Sequence, residues 1–207
     1  MRLGIYGGSF DPVHFGHLLL AECCREQCRL DQVWFVPAAV PPHKQRGAVA
    51  SAAARVDMLK LATGGHEAFA VSTIETERGG VSYTVDTLES VRGQQPEAEL
   101  FFLMGGDSLA EFGTWREPGR ICKLAPPIVV RRAGAAEPDY AVLAPLVPAD
   151  RLEAIRRLRV EMPVIDLSAS DLRRRVAAGL SIRYRTPRSV EKYIEANGLY
   201  RAPATSP

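Results

Sequence analysis

No stretch of this 207-residue chain stays apolar for the length that a membrane span needs. There is no charged and apolar leader either. The chain opens on the short apolar segment Leu3–Tyr6, so no signal peptide is expected. A surplus of one charge is also missing. Lys and Arg number 26 against 24 Asp and Glu, and a net charge of +2 argues for neither nucleic acid nor a membrane as partner. Cysteine is scarce. Cys23, Cys24, Cys28 and Cys122 have no metal-ligand spacing, so reduced core thiols and a cytoplasmic location are expected. Two phosphate motifs are absent. Without GxxxxGKS/T the chain is no P-loop NTPase, and without GxGxxG behind the first strand it does not read as a dinucleotide-binding dehydrogenase. No internal repeat or linker interrupts it, and 46% hydrophobic with 24% charged residues suits one globular domain.

What is present is concentrated in GGSFDPVHFGH, Gly7 to His17. It lies between an apolar run and a helical pattern, so it reads as strand, tight turn, helix. Gly7 and Gly8 allow the backbone to approach a ligand closely. A helix start offers free N–H groups and the positive end of a dipole, which favours an anion. His14 and His17, three apart, share a helix face. Together these features predict a polyphosphate site. Two histidines with only Asp11 nearby fall short of a zinc site.

Along the chain, strand and helix alternate, which predicts an α/β fold with a mostly parallel sheet. Strands are expected near Arg2–Tyr6, Gln32–Pro37, Phe69–Ser72, Leu100–Met104, Ile128–Arg131 and Met162–Ile165. Helices are expected near Gly16–Arg29, Ala50–Thr63, Thr84–Arg92, Asp107–Phe112, Arg151–Arg159, Ser170–Ala178 and Pro187–Ala196. The last is closed by Asn197-Gly198. Gly134–Pro148, rich in Ala and Pro, reads as a surface excursion, and the tail from Ala202 as frayed. In such a sheet the ligand lies at the strands' carboxyl ends, where Gly7, Pro41, Gly105 and Ser168 would meet.

Other candidates sit at those ends. Lys44, in Pro41-Pro42-His43-Lys44, places a point charge on a stiffened loop. Asp107 follows Gly105-Gly106 and suits either an N-cap or a ribose acceptor. Thr84 is a plausible N-cap whose helix also offers N–H groups to a carboxylate. Trp115 is either core or a platform for an aromatic ring. Ser168 or Ser170 caps a helix from which Arg173 can fork onto phosphate oxygens. Arg174 and Arg175, with Arg156, Arg157 and Arg159, leave a basic RNA-binding face as another reading.

The first motif resembles the GxFDPxHxGH signature of the HIGH-type nucleotidylyltransferase superfamily. LSASDLRRR resembles its second signature, ISSTxIR, with Ala169 in place of a hydroxyl residue. VPAAVPPHK, RVDMLKLA, VSYTVDTL, LFFLMGGDSLAEFGTW and RYRTPRSVEKYIEANGLY resemble the bacterial nicotinate-nucleotide adenylyltransferases over nearly the whole chain. That resemblance implies a Rossmann-like open parallel sheet with helices on both faces in a single domain, residues 1–201, followed by a disordered tail, 202–207. It implies adenylyl transfer from ATP to nicotinate mononucleotide with Mg²⁺, giving deamido-NAD and pyrophosphate. By position, His14, His17, Lys44 and Arg173 would hold ATP phosphates. Gly7, Gly8, Ser9, Phe10, Asp107, Arg132, Ser168 and Ser170 would complete the nucleotide site. Thr84, Trp115 and His43 would hold the nicotinate end, where Arg116 replaces a frequent aromatic residue. Partners would be the two nucleotides, with homo-oligomerisation left open. The rival readings are another phosphate acceptor (nicotinamide mononucleotide or pantetheine phosphate) and a non-catalytic nucleotide sensor.

Overall fold

Residues 1–41 and 49–202 are described by a computed structural model. Six strands form one parallel sheet: β1 (Arg2–Gly8), β2 (Gln32–Pro37), β3 (Phe69–Val71), β4 (Glu99–Gly105), β5 (Pro127–Arg132) and β6 (Val160–Met162). Their order is β3-β2-β1-β4-β5-β6, with every neighbouring pair parallel. The helices are α1 (Phe15–Gln27), α2 (Ala52–Thr63), α3 (Ile74–Arg78), α4 (Thr84–Gln94), α5 (Gly106–Ala110), α6 (Pro118–Leu124), α7 (Ala149–Arg156), α8 (Ala169–Ala177) and α9 (Arg188–Ala196).

Strand alternation divides the core in two. Leu3 and Ile5 of β1 and Leu100, Phe102 and Met104 of β4 face one cluster, which α4, α6 and α7 cover. Tyr6, Phe101 and Leu103 face the other, which α1, α2, α8 and α9 cover. Residues i and i+2 of a strand share a face, so the two-sided apolar runs dictate helices on both sides. The expected α/β class and two-sided sheet are what the chain adopts.

Some elements differ from the sequence reading. The last strand is Val160–Met162 and not Met162–Ile165. Val160 and Met162 point into the core, whereas Pro163 cannot donate to a ladder and Val164 is 70% exposed. The short helices α3 and α6 carry no long periodic pattern and were not anticipated. Residues 134–148 do more than cross the surface. A 3₁₀ turn, Tyr140–Leu143, buries its first and last side chains in the core that covers β4. Residues three apart eclipse in a 3₁₀ turn, so both point inward.

Candidate active site

The glycine turn is built around aromatic packing. Phe10 has a left-handed backbone (φ 47°) and is only 1% exposed. Its ring stands edge-on to Tyr6 and His17, at 5.3 and 5.1 Å. A Cβ on Gly8 would come within 2.9 Å of that ring, so glycine is required there by the turn itself. His14 is the N-cap residue of α1 and is buried, and the His14 and His17 rings stack at 3.7 Å. The His14 backbone N–H donates to His17 Nδ1 at 3.2 Å. With Nδ1 accepting, a neutral His17 carries its proton on Nε2. His14 Nδ1 has no hydrogen-bond partner among the described residues. Burial, followed by the positive field of Arg132, pushes the His14 pKa down to about 4. At neutral pH His14 is therefore an uncharged donor and acceptor, not a cation.

These residues wall a cavity of about 760 Å³. Gly7, Gly8, His14 and His17 form one side, and Gly105, Gly106 and Asp107 the other. Arg132 at the end of β5 and Ser168 close it. The cavity opens between the carboxyl ends of β1 and β4, where the strand order reverses direction. This is the switch point at which doubly wound sheets bind ligands.

Trp115 lines this cavity and a smaller one of about 130 Å³ formed with Tyr83, Thr84, Thr114 and Arg116. The indole stands edge-on to Phe102 at 5.8 Å, and its Nε1–H has no partner among the described residues. No side chain caps the start of α4. Its first N–H groups therefore have no capping side chain, and they carry the dipole's positive end beside the small cavity that Tyr83 and Thr84 line. The Arg116 guanidinium lies over the Tyr83 ring at 4.8 Å and reaches Asp86 at 3.3 Å.

Comparison with known proteins identifies the family. Residues 5–175 match the family model described as cytidylyltransferase-like. A Thermomicrobium roseum protein named "Probable nicotinate-nucleotide adenylyltransferase" is 48% identical over 97% of this chain and 92% of its own length. One of the same name from Thermus thermophilus is 44% identical over 97% of this chain and 100% of its own. The chain belongs to the nicotinate-nucleotide adenylyltransferase family. Two structures of the Plasmodium falciparum nicotinic acid mononucleotide adenylyltransferase, complexed with NaAD and with APC, share its fold, with TM-scores of 0.74 and 0.73. Each is 17% identical and covers 96% of this chain, and the match spans 97% and 96% of the two structures.

The site residues expected from sequence fall into three groups. Gly7, Gly8, Phe10, His14, His17, Asp107, Trp115, Arg132 and Ser168 line the main cavity, and Thr84 lines the small one. Ser9, Ser170 and Arg173 are not among the residues that line either cavity. Arg173 donates to the Asp11 carbonyl at 2.6 Å, and the Ser9 carbonyl accepts from Arg55 at 2.9 Å. Ser168 Oγ accepts from the Asp171 N–H, capping α8, and lies 3.1 Å from Ser170 Oγ. His43 and Lys44 are outside the described residues. The N-cap readings of Thr84 and Asp107 are corrected. Tyr83 and Gly105 take those positions, because α4 begins one residue earlier, and α5 two residues earlier, than a polar cap would set it.

Four residues holding the turn escaped sequence reasoning: Asp11, Arg55, Thr186 and Tyr200. Arg55 is 1% exposed and donates to the carbonyls of Ser9, Ala39 and Ala50. Its signal was an arginine inside the apolar face of α2, between Ala54 and Val56. Thr186 is also 1% exposed and donates to the Val13 carbonyl at 2.7 Å.

Proposed function

We propose that this family member transfers the adenylyl group of ATP to nicotinate mononucleotide, giving deamido-NAD and pyrophosphate, within residues 1–201. The observation that carries this reading is the pair of cavities with Trp115 as their shared lining residue. The larger suits a nucleoside triphosphate and the smaller a flat ring with a carboxylate.

In the reaction, an oxygen of the mononucleotide's phosphate attacks the α-phosphorus of ATP. The bond from that phosphorus to the bridging oxygen breaks, and the electron pair leaves with pyrophosphate. A phosphate monoester has its second pKa near ~6, so the attacking group is already anionic and no strong protein base is needed. What remains is in-line placement and charge stabilisation. The α1 N-terminus, His14 and the His17 Nε2–H would hold phosphate oxygens, with the Arg132 and Arg173 charges nearby. Phe10 would shape the turn, Asp107 would accept from a ribose hydroxyl, and Ser168 and Ser170 would order the α8 entry. Trp115 would face the nicotinate ring. The free N–H groups at Thr84 would take its carboxylate, with Lys44 and His43 assigned by resemblance alone.

No group of three His, Cys, Asp or Glu among the described residues forms a metal cluster. Mg²⁺ is commonly held by phosphates and one or two carboxylates, and Asp107 on the cavity wall fits that mode. When bound with ATP, Mg²⁺ would offset charge on the departing pyrophosphate.

The test is pyrophosphate release from ATP with nicotinate mononucleotide, its amide counterpart and pantetheine phosphate as rival acceptors. Release should be fastest with the first. His17→Ala should lower turnover on the order of a hundredfold, the scale for losing one preorganised donor. Fastest release with pantetheine phosphate, or none with any acceptor, would overturn the assignment.

A further inference from the structure

The turn that begins the phosphate site is tied to the far end of the chain. Asp11, within the turn, is only 3% exposed. Its Oδ2 accepts from the Val49 N–H at 2.7 Å, and its Oδ1 from the Ala50 N–H at 3.1 Å. The same Oδ1 accepts from the Tyr200 hydroxyl at 2.6 Å. The Asp11 carbonyl accepts from Arg173. One residue thus gathers the glycine turn, the entry to α2, α8 and the C-terminal segment.

Tyr200 reaches this point through a built path. After α9, Gly198 takes a left-handed backbone, and the N–H groups of Gly198 and Leu199 close on the carbonyls of Glu195 and Ile194. This glycine cap turns the chain back toward the sheet. Tyr200 itself holds φ 62°, an uncommon conformation for a large side chain, and its ring is partly buried. Burial and the neighbouring Asp11 carboxylate both push the phenol pKa up, so the hydroxyl stays protonated as a donor.

We infer that Tyr200 is a positioning residue for adenylyl transfer, acting through Asp11 to fix the glycine turn against Arg173. It lines neither cavity and is not a catalytic residue. The inference rests on the proposed ATP reaction. A hydrogen bond to a carboxylate that is held by two further donors restricts its orientation, and a small displacement of reacting groups costs rate steeply.

The test uses the full chain. Tyr200→Phe removes only the hydroxyl and keeps the ring. A slowly hydrolysed ATP analogue is titrated by calorimetry, turnover is measured by pyrophosphate release, and Tm is recorded. Analogue affinity or kcat should fall about five- to tenfold, the scale of one net hydrogen bond, while Tm falls by only the roughly 2–6 °C that the same bond predicts. Asp11→Asn and the double variant complete a cycle in which the two losses are not additive. Unchanged affinity and kcat in Tyr200→Phe would overturn the inference. So would additive losses, or a loss matched by a collapse in Tm. If the unmutated chain binds the analogue but releases no pyrophosphate with nicotinate mononucleotide, the assigned reaction fails, while the affinities still judge Tyr200.

Discussion

His14 illustrates how one buried side chain links stability to readiness for an anion. Its ring is stacked on His17, its Nδ1 is unpartnered among the described residues, and its pKa is pushed down to about 4. An unfolded histidine titrates near ~6.5. Between those values the unfolded chain takes up a proton that the folded chain refuses, so stability falls as pH drops through that window. The full loss is on the order of 3 kcal/mol, and none of it is felt above the unfolded value. Scanning calorimetry from pH 7 to pH 4.5 should show Tm falling less in His14→Gln than in the unmutated protein. Parallel falls would mean that His14 is not the group responsible. At this scale the sequence displayed the cavity-lining residues and concealed their supports. His14 and His17 stand in a recognisable motif. Arg55, Tyr200 and Thr186 serve it through bonds that span 46 or more residues, to backbone carbonyls or a single carboxylate that no local pattern marks.

At the level of elements, the sequence was most legible where a repeat of two or four residues was long. The apolar run Leu100–Met104 gave β4, and Asn197-Gly198 gave the α9 cap. It was least legible where three to seven residues suffice, as in β6, α3 and α6, because neighbouring elements and not local propensity decide such segments. The uncapped start of α4 falls in between. Ser82-Tyr83-Thr84 marked a helix start, but the structure leaves that start without a side-chain cap, at a point where the same three residues line the small cavity. Three N–H groups and a positive dipole end favour a carboxylate over a neutral carboxamide, which brings its own donors to a donor-lined wall. The specificity constant for nicotinate mononucleotide should exceed that for the amide form by at least about tenfold, equivalent to about 1.4 kcal/mol. Trp115→Ala should weaken both acceptors by similar factors, since a ring face does not distinguish acid from amide. Equal specificity constants for the two acceptors in the unmutated protein would remove α4 as the selector.

For the molecule as a whole, the strand order makes the site a seam between two halves. The wall with Gly7, His14 and His17 hangs from β1, whereas Gly105 ends β4, Asp107 and Trp115 follow it, and Arg132 ends β5. A ligand spanning the seam contacts both halves only in the folded state, so its binding energy adds directly to stability. At a free concentration about 100 times its Kd, one site contributes about 2.7 kcal/mol. For a chain of this size each kcal/mol moves Tm by about 2–4 °C. Saturating deamido-NAD should therefore raise Tm by about 5–10 °C. The same complex should slow amide exchange on both sides, from Gly8 to His17 and around the starts of α4 and α5. The two readouts together are more discriminating than either alone. A rise in Tm with protection confined to the β1 side would describe a phosphate binder that never uses the Trp115 wall. Protection on both sides requires one ligand to bridge the seam, as a dinucleotide product would.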